Sequence, residues 1–211
     1  MSIKRNSKDF IISAFDDYVA ARFLLLNKYS LNGIILASMC VEKYFKAMLA
    51  ALNIEFKNLH LDRINDIQKL FANTEFQVIF HYVDPRFLEL LSLGYRFRYY
   101  DNIKEKTTIG FATHQVLGEF DNFIHILEQL ITMKKNGEPE PTPYQKAIID
   151  GDVRVLDDNY VINKIDRQTY YEQETYCFGL HIDPERSGPI LIKGERITPP
   201  YNGQLTLVNL E

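Results

Sequence analysis

The chain has 211 residues, 46% of them hydrophobic, enough to bury one good core and a smaller second one. Its net charge of −4 excludes a protein held on nucleic acid by bulk electrostatics alone. That charge is uneven: residues 1–136 carry 17 Lys and Arg against 15 Asp and Glu, whereas residues 137–211 carry 7 against 13, which divides the chain into a +2 and a −6 region.

Taken in order, the chain opens without the apolar core and small-residue cleavage site of a leader, which points to a cytoplasmic protein. Ser7 is placed to cap a first helix over residues 8–28, with Ile11, Phe15, Tyr18 and Leu25 on one face. Arg22 falls on that line. It reads either as an edge residue whose head reaches solvent or as the partner of an internal carboxylate such as Glu42.

Residues 30–52 are the centre of the pattern, with Ser30 as the expected cap. Ile34, Ala37, Val41, Tyr44, Met48 and Ala51 recur in steps of three and four, and Ile35, Leu36, Met39, Phe45 and Leu49 cover the other sides. A helix apolar nearly all round is one that other elements surround. Glu42, Lys43 and Lys46 interrupt it well before the roughly 18 apolar residues of a membrane span. Glu42 and Lys46 are one turn apart with the acid first, either a stabilising helix pair or a polar patch kept for a ligand or subunit contact. Cys40 reads as a small buried thiol, and with Cys177 it gives neither zinc spacing nor a disulfide framework.

Leu61, Ile64, Ile67 and Leu70 have helical spacing, with His60 ahead of them as a capping or surface residue. Residues 73–83 suit a buried strand or a helical turn equally. Asp84-Pro85 is a helix start, and the helix it opens carries Phe87, Leu88, Leu91, Tyr95 and Tyr99 on one side, with Gly94 marking a close crossing. Arg96, Arg98, Tyr99 and Tyr100 gather at its end. They are either cations on the helix dipole with rim tyrosines, or phosphate contacts with rings that stack on bases.

Residues 103–110 read as a polar connector. Residues 112–134 form the most regular helix, with Val116, Phe120, Phe123, Leu127 and Leu130 in one row and Leu117, Ile124 and Ile131 in a second. Such a double row can face its own bundle and another subunit. His114 and His125 share a face about 16 Å apart, too far for one metal. Residues 136–143 read as an extended linker. Beyond it residues 153–156, 175–182, 189–193 and 205–208 look like strands of a small antiparallel sheet, leaning on the bundle or a partner because a few strands alone are marginal.

No Gly-rich phosphate loop, zinc spacing or nucleophile elbow occurs. The acidic turns at Asp150-Gly151-Asp152 and Asp157-Asp158-Asn159 lack the glutamate of a calcium loop. No metal and no cofactor is expected.

Over roughly residues 7–134 the chain resembles the HEPN family, small helical bundles of prokaryotic toxin and antitoxin systems and nucleotide-associated proteins. The resemblance rests on the first helix with Ala20, Ala21 and Leu24 to Leu26, the Glu-Lys-x-x-Lys-Ala core at Glu42, Lys43, Lys46 and Ala47, the segment from His60 to Leu70, and the pair Arg98-Tyr99 before the last helix. It implies a mainly α, antiparallel up-and-down bundle over residues 1–136 that forms a homodimer. A small β-rich region over residues 137–211 lies outside it. Family members that cleave RNA carry a histidine four to six residues after an arginine. Here Asp101, Asn102 and Ile103 follow Arg96 and Arg98, and the next histidine is His114.

The resemblance therefore implies nucleotide or RNA binding through Arg96, Arg98, Tyr99 and Tyr100, supported by a polar cluster of Arg22, Glu42, Lys43 and Lys46, with a degenerate ribonuclease motif. Two alternatives stand beside it. One is a non-catalytic interaction scaffold whose acidic tail docks a protein partner. The other is a metal-independent endoribonuclease of toxin-antitoxin type in which His114 folds back to move the proton.

Overall fold

The computed structural model describes residues 7–96, 98, 107–173, 175–182, 185, 190–192, 196–197 and 206–208. Among these the chain is mainly helical. α1 (Ser7–Leu26) and α2 (Ser30–Ala51) fold back on each other through residues 27–29, where Lys28 takes a left-handed φ of 68°. α2 is surrounded, as its composition demands: Ile34, Ala37, Val41, Tyr44, Phe45, Met48 and Leu49 are all buried, with α1 packed along it. Ser30 is not the cap. It is the first helical residue and is buried, and Tyr29 precedes it without a side-chain capping bond.

After α2 come a 3-10 turn (Leu61–Arg63), α3 (Ile64–Phe71), a second 3-10 turn (Glu75–Val78) and α4 (Ile79–Tyr82). The ambiguous stretch over residues 73–83 is therefore helical. Asn73 stops α3 with a φ of 63°, and Phe76, Ile79 and Val83, three and four apart, bury one helical stripe. α5 (Pro85–Arg96) starts at Asp84-Pro85, where Asp84 Oδ1 accepts from the Arg86 N–H at 2.9 Å. Gly94 is a close crossing: a Cβ there would lie 2.8 Å from Ile34 Cγ2 and 3.0 Å from the Ile34 carbonyl oxygen.

β1 (Thr107–Ala112) leads into α6 (Thr113–Gln129). Both apolar rows of α6 enter this chain's own core through Val116, Leu117, Phe120, Phe123, Ile124 and Leu127, whereas Leu130, just past its end, is 37% exposed. α6 also ends sooner than its periodicity suggests, because β2 (Met133–Lys135) and β3 (Glu138–Glu140) pair around Asn136 and Gly137, both at positive φ. The expected linker is thus a hairpin, and Thr142 closes it by capping the next helix.

α7 (Pro143–Ile149), α8 (Val153–Leu156) and α9 (Arg167–Tyr171) follow. Residues 153–156 were expected as a strand; Asp152, whose Oδ1 accepts from the Arg154 N–H at 3.0 Å, starts a helical turn there instead. α7 and α8 pack on α1, and α9 on α6. The expected strands at 175–182, 189–193 and 205–208 are present as β4 (Thr175–Ile182), β5 (Ile190–Ile192) and β7 (Thr206–Val208), with β6 (Arg196–Ile197) beside β4. β4 pairs antiparallel with β1, Gly110 opposite Gly179, and the order is β5-β4-β1-β7. Residues 107–110 of the expected connector thus belong to an inner strand, and residues 103–106 lie outside the described residues. Among the described residues no helix is long and apolar enough to cross a membrane.

Candidate functional site: a cleft between the first two helices

Met39, Glu42, Lys43 and Lys46 fall on one stripe of α2, and Asp9, Phe10, Ser13 and Asp17 share a stripe of α1. The groove between them, with Arg98 beyond α5 in its wall, is a cleft of about 380 Å³. Lys43 Nζ sits 2.6 Å from Asp17 Oδ2 and donates to the Ser13 carbonyl at 3.3 Å. Lys46 Nζ donates to Glu42 Oε1 at 2.5 Å. The other oxygen, Oε2, faces His60 Nδ1 at 3.4 Å, and both atoms are buried without a hydrogen-bond partner among the described residues.

Tyr95 assembles the rim. The His60 ring stacks on it with centroids 4.7 Å apart and planes at 25°, and the Arg98 guanidinium carbon lies 5.1 Å from the same centroid. Burial holds the Asp17 carboxyl above its ordinary range, with Lys43 and then Arg98 working against it. Lys43 is therefore neutralised by a poorly solvated acid. Three cations reach one cleft, and a phosphate of higher charge can displace the carboxylates that hold Lys43 and Lys46. Among the described residues no group of three His, Cys, Asp or Glu side chains is arranged to hold a metal.

The other sequence candidates separate. Arg96 is exposed and Arg98 partly buried, while Tyr99 and Tyr100 lie outside the described residues. Arg22 is not in the cleft, and its acid is not Glu42. It is 0% exposed, and its guanidinium bonds Asp121 Oδ2, the Asp157 carbonyl and, at 3.1 Å, the Arg154 carbonyl. Tyr18 donates to Asp121 Oδ1 at 2.8 Å and accepts from Asn159 Nδ2 at 3.3 Å. Burial raises the Asp121 carboxyl while Arg22 opposes the rise. Burial likewise works against the Arg22 charge, and Asp121, with Tyr18 and Tyr170 beside it, more than restores it. This network joins α1, α6 and the segment after α8. It is a structural lock.

His114 stands apart as well. Its Nε2 lies 3.3 Å from Asp158 Oδ2, its ring meets Tyr170 edge-on at 5.2 Å, and its Nδ1 is buried without a hydrogen-bond partner among the described residues. One ring nitrogen of His114 thus faces Asp158 and the other is buried. None of these partners lines the cleft.

Sequence reasoning missed Asp9, Phe10 and Ser13 as cleft residues and Asp17 as the partner of Lys43, and placed His60 on the surface rather than against Glu42. It also missed the buried acids Asp121 and Glu128, for which a signal existed. In the second row of α6 they fill the gaps, as Leu117, Asp121, Ile124, Glu128 and Ile131 run in steps of four, three, four and three. An acid inside an apolar row announces a buried partner.

Comparison of the chain with models of known families, with curated proteins and with solved structures finds no match.

Proposed function

We propose that the chain is a HEPN-like, up-and-down bundle that works in the cytoplasm as a homodimer and binds a nucleotide or RNA in the cleft between α1 and α2, without the family's ribonuclease motif. Residues from separate parts of the resemblance converge there: Glu42, Lys43 and Lys46 from its core, His60 from its third segment and Arg98 from its last pair meet in one cleft and its rim. The cations suit phosphate, and Phe10 and Met39 offer apolar surface to a base.

Anisotropy of a labelled mononucleotide and a labelled single-stranded RNA, with wild type beside Arg98→Ala, tests this. Loss of a charge-assisted contact should weaken RNA binding about tenfold or more, with the melting temperature nearly unchanged and the RNA recovered intact on a gel. Undiminished binding by Arg98→Ala would move the ligand elsewhere.

A second reading, an interaction scaffold without a nucleotide ligand, is favoured by a different observation. Phe23, Ile149 and Val153 are 62%, 75% and 71% exposed on α1, α7 and α8, elements that pack on one another. Under that reading wild type binds no RNA at low salt, and Phe23→Lys/Val153→Lys abolishes self-association in sedimentation.

A further inference from the structure

We infer that the cleft continues into a second subsite and that its ligand is a single-stranded oligonucleotide rather than a mononucleotide, an extension that rests on the nucleotide-binding reading above. The second cleft, of about 360 Å³, lies between residues 55–59 and α3. Phe56, Leu59 and Leu70 give it apolar surface, and Lys57, Arg63 and Lys69 stand around it against Glu55 and Asp66. Lys69 is engaged with Asp66 at 3.1 Å. Lys57 and Arg63 are exposed and make no ion pair among the described residues. Two uncommitted cations beside an apolar surface suit a polyanion with flat rings better than an apolar peptide.

The two clefts adjoin. Phe10 lines the first and Phe56 the second, with centroids 6.2 Å apart and planes at 57°. Leu59 lines the second, and the residue after it, His60, faces Glu42 of the first. This ring pair and His60 stand where the two clefts meet. A single strand alternates phosphate and base, and the surface alternates in the same way: Arg98, Lys43 and Lys46, then Phe10 and Phe56, then Lys57 and Arg63. A mononucleotide occupies one end of that track. A strand occupies both.

The test uses the full chain, wild type and Lys57→Ala/Arg63→Ala, with adenosine monophosphate and a single-stranded oligoribonucleotide of about eight nucleotides over a salt series. A polyglutamate peptide is the competitor. Wild type should bind the oligonucleotide at least about tenfold tighter than the mononucleotide. The double variant should lose that excess, its salt slope should fall by about 1.4 for two lost single-strand phosphate contacts, and its mononucleotide affinity should be that of wild type. Both substituted residues are exposed, so an unchanged melt accompanies the loss. A double variant with wild-type oligonucleotide affinity and slope would remove the second subsite and leave the first cleft standing. Wild type that binds neither probe would overturn both readings. Displacement of the RNA by polyglutamate at matched charge would reassign the second cleft to acidic peptides and overturn this inference.

Discussion

Glu128 is a buried acid that the fold satisfies with hydroxyls. Tyr44 OH and Thr142 Oγ1 each donate to it at 2.5 Å, and Gln145 Nε2 donates to its backbone carbonyl at 3.2 Å. Burial holds its carboxyl above the ordinary 4.5, and the bonds from Thr142 and Tyr44 pull the other way. A carboxyl raised in the folded state keeps its proton at a pH where the unfolded chain has lost it. Its favourable contribution is therefore complete below 4.5 and disappears as the pH rises through the folded value. Glu128→Gln removes the titration and keeps the shape. Urea unfolding from about pH 4 to about pH 8 should show the stability of wild type relative to the variant falling with pH through that window and then levelling. A difference independent of pH would mean that Glu128 titrates alike in both states. Asp121 and Glu128 were legible as oddities of an apolar row, but their partners were not. Arg22 lies 99 residues before Asp121, and the rotation of α6 against α1 that brings them together leaves no trace in either helix's periodicity.

The same limit acts on whole elements. The central helix and the start at Asp84-Pro85 were readable because burial period and capping chemistry are local. β1 was not, since its residues read as a polar connector and its partner β4 begins more than sixty residues on. Residues 153–156 misled because two valines suggest a strand, whereas the Asp152 cap decides for a helix. α9 is another short element, five residues long, and such a helix exists only by packing. A Cβ on Gly118 of α6 would lie 2.6 Å from Tyr171 Cε1, 3.1 Å from Tyr170 Cε1 and 3.2 Å from Tyr160 Cε1. Beside it, buried Glu119 accepts from Tyr171 OH at 2.7 Å and from Arg167. Gly118→Ala gains about 1 kcal/mol of helix propensity and loses about 1 to 3 kcal/mol to overpacking against three rings. The net loss reaches about 2 kcal/mol, which a chain of this size shows as a melt lowered by up to roughly 4 to 8 °C. A variant as stable as wild type would mean that α9 moves aside at no cost.

At the scale of the molecule, composition places a boundary near residue 136, and the −6 region beyond it is built into the core of the +2 region before it. Tyr144, Ala147 and Val155 belong to the same buried cluster as Tyr18, Tyr44 and Phe120, and the Tyr18 and Tyr144 rings meet edge-on at 5.6 Å. Three of the polar groups buried on the bundle side, Arg22, Tyr18 and Glu128, have partners that come after residue 136. β1 likewise pairs with β4 and β7, both from the later region. Removing residues 137–211 therefore strips a buried ion pair of its cover and supporting bonds. Arg22 and Asp121 keep each other, but the carbonyls of Arg154 and Asp157 are lost, and a hydrogen bond to a charged group contributes about 1.5 to 3 kcal/mol, against a total stability of about 5 to 15 kcal/mol for a whole domain. The shortened chain also loses the apolar cover of α1 and α6. It should keep helical far-ultraviolet dichroism, lose its near-ultraviolet signal and melt without a cooperative transition. A sharp melt at the wild-type temperature would instead make the region after residue 136 an arm that the bundle does not need, and would free its acidic face for a partner.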